Sequence, residues 1–304
     1  MKVLVTGGAG FIGSHVVEKL LGERIDVVVM DNLHSGLREN LSVAAKFVEC
    51  DVRSDKVKQL FKSEKFDAVI HLAAQTMVNV SVENPYYDAD VNMLGTINIL
   101  EAARTSGTKR VVFASSAAVY GDVGTLPVRE DAIANPQSFY GLSKYTIEKY
   151  LALYSKLFGL EYFALRYSNV FGERQGDGGE GGVVSIFARL IAQNRELSVF
   201  GDGTQTRDFI YVKDVANANF AAVTATAANK VMNISNNSEL SVNELIAAFE
   251  QAAGKKLSVN YLPKRDGDIY RSRLDNSLAV ATLAWKPQHD LTASLQATYE
   301  YLVK

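Results

Sequence analysis

The 304-residue chain reads as an α/β fold, a doubly wound parallel sheet with a smaller C-terminal part, and three observations predict it. Short runs rich in valine and isoleucine recur along the first half, separated by stretches of helical periodicity. The first run breaks at a cluster of glycines and passes directly into a helical pattern. Polar side chains gather just past the carboxyl ends of the later runs, where open parallel sheets bind their ligands.

Lys2-Val-Leu-Val-Thr6 reads as a strand buried on both faces. Gly7-Gly-Ala-Gly-Phe-Ile-Gly13 follows, and then Ser14-His-Val-Val-Glu-Lys-Leu-Leu21 with apolar residues at helical spacing. This Rossmann order of strand, glycine turn and helix sets free backbone N–H groups at a helix N-terminus, where a pyrophosphate can sit. Gly7 permits the tight turn, Gly10 lets backbone approach phosphate, and Gly13 lets helix and strand pack closely. The next strand, Asp26-Val-Val-Val-Met-Asp31, ends in a carboxylate about 20 residues past the glycines. Such a group accepts ribose hydroxyls and repels a 2′-phosphate, so NAD is expected rather than NADP. After the strand Lys46-Phe-Val-Glu49, Asp51-Val52 either reaches the adenine or closes a strand-end turn.

Further strands are expected at Ala68–His71, 110–115 and 161–166, with helices at 86–106 and 138–158. His71-Leu-Ala-Ala-Gln75, Ser115-Ser116 and Arg166-Tyr-Ser-Asn169 all fall at strand ends, three polar clusters on one sheet edge. Residues 1–170 are therefore expected to form the dinucleotide-binding domain. Beyond Phe171 the elements shorten. Gly176-Asp-Gly-Gly-Glu-Gly-Gly182 is too rich in glycine to form helix or strand unaided, and serves either as a lid or as a solvated loop. Helices are expected at Val183–Ala192, 212–226, 241–253 and Ser277–Leu283. Residues 171–304 then form mainly a substrate-binding part, with a segment near 205–235 returning to the first domain.

Bulk properties remove several classes. Thirty-two basic against 34 acidic residues leave a net charge of −2, so no field attracts nucleic acid. No apolar run reaches the roughly 18 residues of a membrane span, and no secretory leader is expected ahead of the strand at Lys2. The single cysteine, Cys50, rules out an internal disulfide and points to a reducing, cytoplasmic setting. His15, His34, His71 and His289 lack ligand spacing, so no metal is expected. The G-x-S-x-G signature of serine hydrolases is absent.

The chemistry is carried by Tyr140-Gly-Leu-Ser-Lys144, with Ser116 placed 24 residues upstream at the end of a strand. A tyrosine and a lysine four apart on a helix share one face. The ammonium favours ionised phenol and can lower a tyrosine pKa, about 10 when unperturbed, by about 1–3. A serine hydroxyl can share the substrate oxygen and pass on its proton, which makes a general base for an alcohol losing hydride. Tyr145 and Lys149 repeat the spacing, but five residues turn a helix by about 140° net, so only one pair can face a ligand.

Taken together, these residues resemble the extended short-chain dehydrogenase/reductase family, and within it the nucleotide-sugar 4-epimerases of the UDP-glucose/UDP-galactose type. The resemblance runs from Val3 to about Leu283. It rests on Thr6-Gly-Gly-Ala-Gly-Phe-Ile-Gly13, Asp31-Asn-Leu33, His71-Leu-Ala-Ala74, Val91-Asn92 and Ser115-Ser-Ala-Ala-Val-Tyr-Gly121. It continues in Pro136-Gln-Ser-Phe-Tyr-Gly-Leu-Ser-Lys144, Leu165-Arg-Tyr-Ser-Asn-Val-Phe-Gly172 and Phe200-Gly-Asp-Gly-Thr-Gln-Thr-Arg-Asp-Phe-Ile-Tyr211. The family's tyrosine follows Pro-x-Ser-x, which selects Tyr140 over Tyr145. By position, the resemblance implies a catalytic trio of Ser116, Tyr140 and Lys144. It implies NAD on Gly7, Gly10, Phe11, Ile12, Gly13, Asp31, Asn32, Asp51, Val52, Leu72, Ala73, Ala74 and Asn92, with Tyr140 and Lys144 also touching it. The sugar nucleotide would meet Asn169, Val183 and Phe200, with Arg207 and Arg265 on its diphosphate and Asp268 near its ribose. Planar, permanently charged guanidinium forks suit a diphosphate.

Relatives that eliminate water carry an Asp-Glu pair after the serine or threonine, and decarboxylating relatives carry a glutamate; here Ala117 and Ala118 stand there. Alanine moves no proton, which leaves oxidation to a 4-keto sugar, rotation, and return of hydride to the other face. Within the family the alternatives are a dehydratase, a decarboxylase with an unusual acid, or a uronate 4-epimerase; outside it, a non-catalytic NAD(H)-binding regulator. Hexose-restricted members often carry a bulky aromatic four residues after the acid matching Asp268, whereas this chain has Ser272, which leaves room for an N-acetyl group. Gly182-Val-Val184 replaces an asparagine pair, leaving uridine against thymidine open. The resemblance also implies a homodimer pairing helices 86–106 and 138–158.

Overall fold

The computed structural model describes residues 1–176, 182–264 and 269–303. In chain order the elements of the first half are β1 (Lys2–Thr6), α1 (Phe11–Gly22), β2 (Asp26–Asp31), β3 (Lys46–Glu49), α2 (Lys56–Glu64), β4 (Ala68–His71), α3 (Val78–Glu83), α4 (Pro85–Ala89), α5 (Gly95–Ser106), β5 (Arg110–Ser116), α6 (Phe139–Phe158) and β6 (Glu161–Tyr167). Then follow β7 (Asn169–Phe171), α7 (Val183–Ala192), β8 (Leu197–Phe200), β9 (Thr206–Arg207), β10 (Phe209–Tyr211), α8 (Val212–Thr224), β11 (Lys230–Ile234), β12 (Leu240–Ser241), α9 (Val242–Ala253), β13 (Val259–Leu262), α10 (Ser277–Leu283) and α11 (Leu291–Val303).

Seven strands make one parallel sheet in the order β11-β6-β5-β4-β1-β2-β3. Side chains alternate across a strand, and both faces here are apolar, as a sheet covered by helices on both sides requires. Val3, Val5, Val27 and Val29 meet α1 and α8 on one face. Leu4, Val28 and Met30 meet α2, α5 and α6 on the other. Strand order reverses between β1 and β4, and that switch point opens a crevice at the carboxyl ends.

From Phe171 onward a further apolar cluster gathers α7, β8 and α9 with Leu295 of α11. Among the described residues, β7 pairs with β10, β9 with β12, and β8 with β13 as two-stranded sheets. The chain also returns to the main sheet, where α8 packs on α1 and β11 pairs with β6.

One expectation on elements needs correcting. The helix expected over 86–106 is interrupted: α4 passes into a π-helical turn at Asp90–Leu94 before α5 begins. Widening one turn redirects the side chains it carries, and Asn92 lies within it. Helices α2, α3 and α11 stand where the sequence reading places no helix.

Gly13 shows how tightly α1 seats against the glycine turn: a Cβ there would lie 2.0 Å from the Gly7 carbonyl oxygen. Gly13→Ala is expected to cost about 1–3 kcal/mol of stability through overpacking, read as a melting temperature several degrees lower; an unchanged melting temperature contradicts this packing.

Candidate active site and cofactor cradle

Gly7 takes a left-handed conformation (φ +70°), and a Cβ on it would stand 2.7 Å from the Ala73 nitrogen. The turn leaving β1 therefore lies directly against Leu72 and Ala73 leaving β4. Thr6 Oγ1 accepts both of their N–H groups at 3.2 Å. It also lies 2.6 Å from His71 Nδ1, while His71 Nε2 lies 2.9 Å from Thr96 Oγ1. Thr96 donates its own proton to the Asn92 carbonyl, so it accepts from a His71 Nε2–H, and Nδ1 accepts from Thr6. Burial and the nearby Lys144 charge pull the His71 pKa down to about 3, which keeps this ring neutral.

The first intrahelical bond of α1 runs from Ser14 N–H to the Gly10 carbonyl. The N–H groups of Phe11, Ile12 and Gly13 precede that ladder and end the helix with partial positive charge. Asp31, at the end of β2, accepts from Ala9 N–H at 3.0 Å and Leu33 N–H at 2.8 Å. Burial raises its pKa, and those two bonds oppose the rise. Asn32 donates to Asp51, which also takes the Arg53 guanidinium and is held well below the usual carboxylate range. Val52 packs on Gly95. Ala74 follows Ala73 along the same edge. A cradle that a Cβ would fill, a helix N-terminus and a carboxylate beyond it together fit NAD.

The amino end of α6 carries the reactive groups. Ser138 caps it by accepting Gly141 N–H at 3.1 Å. Lys144 Nζ is buried, donates to the Ala114 carbonyl at 2.8 Å, and stands 5.7 Å from the Tyr140 ring centroid. Burial pulls its pKa down to about 8, against an upward pull from the Asp88 carboxylate. Ser116 Oγ accepts Ala118 N–H. The competing Tyr145 and Lys149 stack on each other at 4.4 Å, and Tyr145 packs against the Val119–Tyr120 cluster.

Ser116, Tyr140, Ser168, Asn169, Arg207 and Ser272 all line one cleft of about 240 Å³, together with Ala117 and Ala118. Asn169 and Arg207 also line a second cavity of about 230 Å³ that holds Val183. Phe200 ends β8 half-buried and lines neither cavity. Arg265, Asp268 and most of the 176–182 stretch lie outside the described residues. No helix among the described residues is long and apolar enough to cross a membrane, and none of them form a metal-binding cluster of three acidic, histidine or cysteine side chains.

Sequence reasoning missed the partners of several buried polar groups. Asn92 exchanges hydrogen bonds with the Gln75 backbone and donates to Asp88, which also accepts from the Gln75 side chain. Asp208 binds Asn236 N–H and Leu274 N–H, and burial pushes its pKa up to about 7. Glu148 and Arg166 form a buried ion pair behind the cleft. A carboxylate or guanidinium inside an apolar pattern was the only available signal, and it names no partner.

Comparison with known proteins finds the same fold in proteins named as epimerases. A putative UDP-glucose 4-epimerase of Methanocaldococcus jannaschii is 47% identical over 301 residues, covering 99% of this chain and 98% of the relative. The UDP-glucose 4-epimerase of Thermotoga maritima, solved with UDP-glucose, superposes with a TM-score of 0.95 at 40% identity, covering 99% and 98%. A UDP-N-acetylglucosamine 4-epimerase of Methanobrevibacter ruminantium, solved with UDP-N-acetylmuramic acid, gives 0.94 at 34% identity, covering 99% and 97%. Residues 3–235 match the NAD dependent epimerase/dehydratase family, and the chain belongs to it.

Proposed function

We propose that this chain interconverts the C4 epimers of a UDP-hexose, with NAD as its resident cofactor. The observation that carries the reading is the cleft wall: Tyr140 and Ser116 line it with Lys144 behind, while Ala117 and Ala118 occupy the places from which an acid would drive elimination. The relatives' activities support the same reaction.

NAD held on the glycine turn and Asp31 would supply the hydride acceptor and donor for C4 of the sugar. The chain's residues do the rest. Tyr140, as phenolate, takes the C4 hydroxyl proton; Ser116 holds the same oxygen; the Lys144 ammonium favours the ionised phenol. Return of the proton from Tyr140 completes the cycle. Small side chains (Ser116, Ala117, Ala118, Ser168, Ser272) leave the hexose room to turn. Arg207, where the two cavities meet, suits the diphosphate, with Arg265 and Asp268 as its expected companions. Asn169 and Val183, which line these cavities, are assigned to the sugar nucleotide, and Phe200 joins them by the family resemblance alone. The buried, unpaired Cys50 accords with a reducing, cytoplasmic setting.

Ser272 on the cleft wall supports acceptance of UDP-N-acetylhexosamines as well as UDP-glucose and UDP-galactose. A second copy of the chain is proposed to cover α6, which exposes Leu142, Leu153 and Leu157, and the segment before α5, which exposes Tyr86 and Leu94, since large exposed apolar side chains mark an interface when they gather.

Three outcomes are expected. Tyr140→Phe lowers turnover by about 10²–10⁴ while Tyr145→Phe leaves it intact, measured by separating UDP-glucose from UDP-galactose; undiminished turnover in Tyr140→Phe refutes the mechanism. Ser272→Tyr cuts UDP-N-acetylglucosamine turnover at least about tenfold and spares UDP-glucose; equal rejection of the acetamido sugar by both proteins rules out the specificity reading. Sedimentation equilibrium gives twice the chain mass, and Leu153→Lys with Leu157→Lys shifts it toward the monomer; a monomeric wild type removes the dimer.

A further inference from the structure

Tyr140, Lys144 and Glu148 follow one another at intervals of four along α6 and so share one face. The first two serve the cleft. Glu148 is buried and closes a two-pronged pair with Arg166 of β6, at 2.9 Å for Nε to Oε1 and 2.6 Å for Nη2 to Oε2. Ser115 Oγ donates to the same Oε1 at 2.6 Å. Arg166 lies over the Tyr120 ring at 4.7 Å and donates to the Glu130 carbonyl. Neither charged group lines the cleft.

We propose that the Glu148–Arg166 pair is a positioning device that sets the rotation of α6, and through it the placement of the Tyr140 phenol over the substrate hydroxyl. The inference rests on the epimerase reading. Ile147 and Leu151 pack α6 on the sheet, but apolar contacts are non-directional and tolerate small rotations. A carboxylate gripped by a guanidinium fork fixes direction as well as distance. The third partner, Ser115, precedes Ser116, so one carboxylate ties the helix bearing the base to the strand bearing the serine. Leverage makes this matter. A rotation of about 10° moves a group about 6 Å from a helix axis by about 1 Å, and a misplacement of that size can cost about 100-fold in rate. Stability alone does not require the pair, because buried ion pairs are often replaced by apolar residues without loss.

The test compares Glu148→Gln and the double variant Glu148→Leu/Arg166→Met with wild type in UDP-glucose epimerisation, alongside thermal melts. The double variant is expected to keep its melting temperature within a few degrees. Its kcat should fall by about 10–100-fold, with KM for UDP-glucose within about twofold; Glu148→Gln should lose kcat in the same sense. A wild-type kcat in either variant, or a loss confined to KM, overturns the proposal. If the double variant does not fold, Glu148→Gln alone decides on the same criterion. Wild-type protein with no turnover of UDP-sugars overturns the epimerase reading itself, an outcome distinct from equal rates in wild type and variants.

Discussion

The amino end of α6 rests on the turn that follows β5 because Gly141 has no side chain: a Cβ there would stand 2.5 Å from the Ala118 carbonyl oxygen. From this close approach the site follows. Tyr140, one residue earlier, comes over the end of β5, where Ser116 caps the turn. Lys144, one helical turn on, is driven into the core beneath them. Burying an ammonium is costly unless it is compensated, and here it has the Ala114 carbonyl at 2.8 Å, the Phe113 and Tyr140 rings, and the charge of Asp88. A positive charge is thereby held next to the phenol.

The cofactor side depends on a second close approach. β1 and β4 are neighbours across the reversal of strand order, and Gly7 lets their loops touch. The Thr6–His71–Thr96–Asn92 chain then links that junction to the π-helical turn. Asn92 in turn holds Gln75 and Asp88. The acid that supports Lys144 is thus anchored to the loops that form the cradle, which couples the two halves of the site through buried polar groups.

Much of this was legible in the sequence where local chemistry is unambiguous. The glycine turn between Thr6 and Gly13 lies between a strand and a helix, and β1 to β6 read as short apolar runs within a residue or two of their observed ends, whereas β11 of the same sheet was not located. Tyr140 could be separated from Tyr145 only by resemblance to a family; the structure places Tyr140 on the cleft and Tyr145 in a packed cluster. Long-range partners were not legible. Glu148 with Arg166, Asp88 with Gln75, and Asp208 with Leu274 are pairs that only the fold brings together. The π turn was invisible as well, because its residues continue the helical pattern on either side.

The central claim is that the hydrogen on C4 leaves the sugar and returns to the opposite face within one closed site, with Tyr140 moving only the hydroxyl proton. Incubation with UDP-[4-²H]glucose in ordinary water tests it most directly. The account predicts UDP-galactose that keeps its deuterium at C4, formed without net accumulation of reduced cofactor. UDP-galactose carrying solvent hydrogen at C4 would contradict it.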